Sequence, residues 1–151
     1  AFVMTHAYEG GHPDHDAVAA SVHLAKELLA RKGIYIGIIE TPLYKGVPGD
    51  QKQRAWQEYA DGVHVFGEDT FVKVLTHRER DLKRAMYEAH ASQAHIFPKT
   101  FYDRELLRVA PSYDFFSPPN NGHVTDIFPE FGLTNEKWQS LIAEAREELG
   151  L

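Results

Sequence analysis

The residues best equipped for chemistry lie together near the start of the chain. Gly11-His12-Pro13-Asp14-His15-Asp16 sets two imidazoles and two carboxylates within a single turn. A neutral imidazole is a good zinc ligand, and a nearby carboxylate can orient a second imidazole or hold it protonated. The chain has nine histidines and no cysteine, so imidazole and carboxylate are the protein donors available to a transition metal. A thiolate nucleophile, a Cys-based zinc site and a disulfide scaffold are excluded. The competing reading is a helix N-cap, with Asp14 or Asp16 satisfying free amides and the histidines solvated. Gly10 and Gly11 permit backbone angles that other residues resist, and Pro13 stiffens the turn. Those residues, with Asp14 between the two histidines, favour the chemical reading.

Placing that block requires a strand before it and a helix after it. Residues 2–5 read as a short buried strand, and residues 6–16 as a loop. Over residues 16–32, Val18, Val22, Ala25 and Leu29 recur at helical spacing, and Gly33 sits where a C′ glycine ends a helix. The β-branched run 34–39 is too short for a helix and reads as a central strand. Strand, loop, helix and strand make a βαβ unit, and open α/β folds bind ligands at the carboxyl ends of parallel strands. Pro42, Gly46, Pro48 and Gly49 make 41–50 a loop, followed by a short helix at 51–59 and one or two strands over 63–76. Thr76-His77-Arg78-Glu79 is a capping box, opening a helix that runs to about Gln93 and buries Leu82, Ala85, Met86 and Ala89. Residues 98–132 read as an irregular wrapping segment with a short helix near 104–108. A last helix over 135–149 turns Trp138, Leu141, Ile142, Ala145 and Leu149 to one side.

With 151 residues, 43% hydrophobic and 25% charged, the chain is expected to form one α/β domain, 1–151. A net charge of −6 argues against a nucleic-acid or anionic-membrane partner, and no apolar run approaches the roughly 18 residues of a membrane span. A cytoplasmic location is expected, and a homo-oligomer is compatible with the sequence. Tyr8, Glu9 and Tyr44 are pocket candidates, because both of their loops should open on one sheet edge; ordinary loop packing is the equal alternative. His6 is near enough to line the site, His23 reads as a surface helix residue, and Trp138 as a core anchor. Tyr113-Asp114-Phe115-Phe116 should pack the tail onto the body.

The segment Tyr8-Glu9-Gly10-Gly11-His12-Pro13-Asp14-His15-Asp16-Ala17-Val18 resembles the second signature of the LmbE-like (PIG-L) family of zinc-dependent de-N-acetylases. Glu40-Thr41-Pro42-Leu43-Tyr44 is similar to that family's strand-ending segment, and Lys83 through His90-Ala91-Ser92-Gln93 to its Lys…His-x-Ser-Gln helix. The resemblance spans essentially the whole chain and is loose after about Pro98. It implies a three-layer, Rossmann-like fold with a mostly parallel sheet. It also implies hydrolysis of the acetamide of an N-acetylglucosamine-type sugar or glycoconjugate, with zinc or another divalent metal. By the family pattern His15 is a zinc ligand. His12 stabilises the oxyanion or protonates the leaving amine, and Asp14 holds His12 in orientation and charge state. The family's first signature, Ala-His-Pro-Asp-Asp-Glu, supplies its other two ligands and general base, and is absent here. The missing ligands, and N-terminal strands of the sheet, are therefore expected upstream of Ala1. Gly10 stands where some members carry a mobile tyrosine. The alternative is a non-catalytic α/β binding or assembly module that lacks the first signature.

Overall fold

Phe2–His6 extends as β1 and Gly37–Thr41 as β2, paired in parallel from Phe2↔Gly37 to His6↔Thr41. Between them runs α1, Pro13–Arg31, so the βαβ reading holds. The helix ends as its sequence requires: Lys32 caps it, and Gly33 follows at φ +74°, a left-handed conformation that costs glycine little. A computed structural model describes residues 1–10, 12–41, 70–92, 103–119 and 132–151 of the chain. The loop and helix expected over 42–59, with Tyr44, lie outside the described residues.

The sheet is completed by β3, Thr70–Val74, and β4, Arg104–Val109, in the order β1-β2-β4-β3. β4 is antiparallel to both β2 and β3, so one of the three pairings is parallel and the described sheet is mixed. With two further helices, α2 (His77–Ala89) and α3 (Asn135–Glu148), the chain is α/β. Among the described residues no helix is long and apolar enough to cross a membrane.

Several expectations need correction. The short helix near 104–108 is instead β4. Its charges are matched across neighbouring elements, with Arg108 on Glu40 of β2 and Glu105 on Lys83 of α2 at 2.9 Å, while Leu106 enters the core. Long-range pairing thus overrides the local pattern. β1 is a strand but not a buried one: among the described strands it pairs with β2 alone, and Phe2 and Met4 are exposed. α1 buries Asp16, Ala19, Ala20 and Leu24, not the stripe through Val18 and Ala25, which are exposed. Small alanines let the helix backbone approach its neighbours closely, which a count of large apolar residues does not register.

α2 carries the expected capping box, Thr76 with Glu79, but none of its residues is buried. It is held to the sheet by polar bonds, Lys83 Nζ to the Arg104 carbonyl and Arg80 Nε to the Leu75 carbonyl, both at 2.9 Å. Leu82 and Met86 therefore line an open groove of about 580 Å³. α3 buries Trp138 and Ile142 and leaves Leu141 and Leu149 exposed. It lies beside α1, tied by a two-pronged Arg146–Glu27 pair at 3.0 and 3.1 Å and by Arg31 on the Gly150 carbonyl.

The core beneath the candidate site joins Tyr8, Ala19, Ala20, Phe115, Trp138 and Ile142. Trp138 Nε1 donates to the Phe115 carbonyl at 2.8 Å, and Tyr8 Oη to the Ser117 carbonyl at 3.0 Å. The 113–117 segment is thereby clamped against the loop that carries the histidines, as the aromatic stretch suggested; Phe116 alone of its aromatics is exposed.

Candidate functional site

The loop leaving β1 turns directly into the first turn of α1. Gly10 makes the turn at φ +70°, where an L-residue is disfavoured by roughly 1–2 kcal/mol. Gly10→Ala is expected to lower unfolding stability by that amount in a urea titration, without altering the rest of the fold. Pro13 occupies the first helical position, where its missing N–H costs no hydrogen bond. His12 is itself the N-cap: its Nδ1 accepts the Asp14 backbone N–H at 3.2 Å. This places the proton of the neutral ring on Nε2, which becomes the donor. The Asp14 carboxylate is largely exposed and lies 3.9 Å from His12 Nδ1. Asp14 thus orients His12 through its backbone amide.

His15, one residue further into α1, is half-buried. Its ring lies flat against that of His6, the last residue of β1, with centroids 3.9 Å apart and planes 7° from parallel. His12 approaches the same ring at 5.3 Å, tilted by 33°. Burial, with the neighbouring His6 and His12, pushes His15 down to about 4, against a smaller upward pull from Asp14. His6 is also lowered, by burial first and His12 second. Near neutral pH His15 is therefore the uncharged imidazole, the form that coordinates a metal.

Asp16 holds this turn in place. It is fully buried, and its Oδ1 accepts the N–H groups of Glu9 at 2.9 Å and Gly10 at 3.2 Å. Burial raises its carboxyl to about 7, which the two amides only partly offset. Asp16, weighed as a cap for the free amides of the helix start, instead pins the preceding loop from inside. Glu9 is buried beside it, and Tyr8 sits in the core with its hydroxyl committed to Ser117.

A second buried carboxylate stands at the same end of the sheet. Glu40, opposite Thr5 in the β1–β2 register, has no solvent exposure; its Oε1 is bonded to Arg108 and accepts the Tyr113 hydroxyl at 2.6 Å. Arg108 Nη2 also donates to Tyr113 Oη at 2.8 Å, and the Tyr113 ring meets Tyr8 edge-on at 5.5 Å. Sequence reasoning missed this trio. Its one signal was a carboxylate two residues beyond Ile38, hence on the buried side of the strand, where it demands a partner. His23 was also misplaced: it is half-buried and meets Tyr113 and Phe115 edge-on at 5.2 and 5.3 Å.

The donor chemistry fits a zinc ion at His15, a neutral, half-buried imidazole held by its neighbours. Among the described residues no three His, Asp or Glu side chains converge to hold a metal ion, whereas a catalytic zinc takes about three protein ligands. Among the described residues His15 is therefore the candidate for a single coordination position. No family model, curated protein or solved structure matches the chain.

Proposed function

We propose that the chain belongs to a zinc-dependent hydrolase that removes the acetyl group from an N-acetylated sugar or glycoconjugate, cleaving a linear amide within a Rossmann-like, mostly parallel parent sheet. The observation that carries this reading is the cluster of His6, His12 and His15 where a parallel strand ends and α1 begins. His15 serves as one metal ligand, and the remaining coordination positions are filled by donors other than those described. The ion, when bound, supplies an activated water and polarises the amide carbonyl. His12 presents its Nε2–H to the oxygen that gains charge as the carbonyl is attacked. A donor so placed contributes roughly 2.7–4 kcal/mol to the transition state. Asp16 fixes the loop that sets the spacing of these imidazoles, and the Asp14 amide fixes the tautomer of His12.

His12→Asn tests the assignment, because asparagine is a strong N-cap. Its melting temperature should stay close to that of the parent, while kcat for acetate release falls about 10²–10³-fold. Equal kcat in parent and variant would remove His12 from the reaction. The second reading, a non-catalytic binding or assembly module, is favoured by the lack of a three-donor metal group among the described residues. It predicts no acetate release from any N-acetyl sugar with zinc supplied.

A further inference from the structure

We propose that His6 is a positioning residue for His15: its ring, stacked face to face on that of His15, sets the plane in which the His15 donor nitrogen points. The consequence for a metal rests on the reading of His15 as a ligand; the stacking itself does not.

A histidine lone pair lies in the plane of its ring, so a ligand's direction is fixed only when that plane is fixed. On α1 the His15 backbone is rigid, but its side chain can still turn about two bonds. His6 removes that freedom from outside the helix. It is the last residue of β1, paired with Thr41 across the sheet, and the next residue is also tied there, Ala7 N–H donating to the Thr41 carbonyl at 3.4 Å. The stack therefore references the first turn of the helix to the end of the sheet.

The same geometry excludes His6 as a second ligand to the same ion. With the planes 7° from parallel and the centroids 3.9 Å apart, an ion in the plane of His15 stands roughly 3.5 Å out of the plane of His6, the contact distance of stacked carbons. A zinc–imidazole bond of about 2.0–2.1 Å along the lone pair cannot bridge that offset. His6 acts through His15, in the manner of the outer groups that orient metal-bound histidines.

The experiment compares the native-length protein with His6→Ala, which deletes the stacked surface, His6→Phe, which keeps a flat ring without a donor nitrogen, and His15→Ala. Two readouts are taken: the ring-proton resonances of His15 by NMR in the metal-free protein, and zinc affinity by competition with a chelating dye. The parent and His6→Phe should show His15 ring protons displaced by the ring current of residue 6, and His6→Ala should lose that displacement. Zinc affinity should fall about 10–100-fold in His6→Ala and stay close to the parent in His6→Phe. Unchanged His15 resonances in His6→Ala would overturn the proposal. So would His6→Phe binding zinc as weakly as His6→Ala, since His6 would then be a donor itself. If the parent and His15→Ala bind zinc equally, or neither binds it, the metal reading fails; the NMR arm then decides the positioning role by itself.

Discussion

His15→Ala is expected to reduce acetate release by about 10³-fold or more, equivalent to roughly 4 kcal/mol of transition-state stabilisation. The reason is a division of labour within the loop. His12 already serves as N-cap through Nδ1, and His6 faces the wrong way to share an ion with His15. No neighbouring imidazole among the described residues is placed to take over the lost coordination position. The variant should still fold, because His15 is not part of the buried cluster of Tyr8, Ala19, Ala20, Phe115, Trp138 and Ile142; a far-UV circular dichroism spectrum and a melting curve check that. Full activity in a folded His15→Ala protein would place the metal elsewhere.

Asp16 should dominate stability as His15 dominates chemistry. Asp16→Ala strands the buried N–H groups of Glu9 and Gly10, at about 1–3 kcal/mol for each unsatisfied group. A loss of roughly 2–6 kcal/mol is therefore expected in urea unfolding. Asp16→Asn keeps an acceptor for both amides, should cost less, and isolates the ionisation. Burial raises Asp16 in the folded state from its ordinary value near 3.8 to about 7. Between those values the folded protein holds a proton that the unfolded chain has released. The contribution of Asp16 is thus full below about pH 4 and is lost as pH rises through 7. His15 has the opposite sign: lowered from 6.5 to about 4, it contributes fully above pH 6.5 and loses that as pH falls through 4. The two slopes oppose each other in the parent. In Asp16→Asn only one remains, so the stability of the variant relative to the parent should rise between pH 5 and pH 8. A difference that stays constant over that range would mean that Asp16 does not titrate in it.

The chemistry-bearing turn was legible because its signals are local. Gly10 for a positive φ, Gly33 at the helix end and the Thr76–Glu79 capping box each depend on a few adjacent residues, and each is found as expected, whereas Pro13, read as stiffening the loop, is the first residue of a helix that starts earlier than its apolar spacing suggests. The βαβ unit was legible for a similar reason. What escaped were features decided at a distance. β4 reads as a short helix because Glu105 and Arg108 are matched by residues about 20 to 70 positions away. Without those partners the segment has no reason to extend. Asp16 reads in the sequence as a candidate capping carboxylate, and only the fold reveals that it points inward to the amides of the preceding loop. Glu40 entered the sequence reading as part of a motif, not as the centre of a buried trio with Arg108 and Tyr113. The buried face of α1 was mistaken because alanine and aspartate, not large aliphatic residues, make its closest contacts. The polar residues of the candidate site thus divide in two. Those proposed to face the reaction are recognisable by type and spacing, whereas those that hold them, His6 and Asp16, are recognisable only by contact.

The most direct test of the account is metal-dependent acetate release by the native-length protein from an N-acetylated sugar. Acetate should appear with zinc bound, stop when the metal is removed by a chelator, and return when zinc is restored. Release that continues undiminished after complete metal removal, or no release by the zinc-loaded protein from any N-acetylated sugar or glycoconjugate, would contradict it.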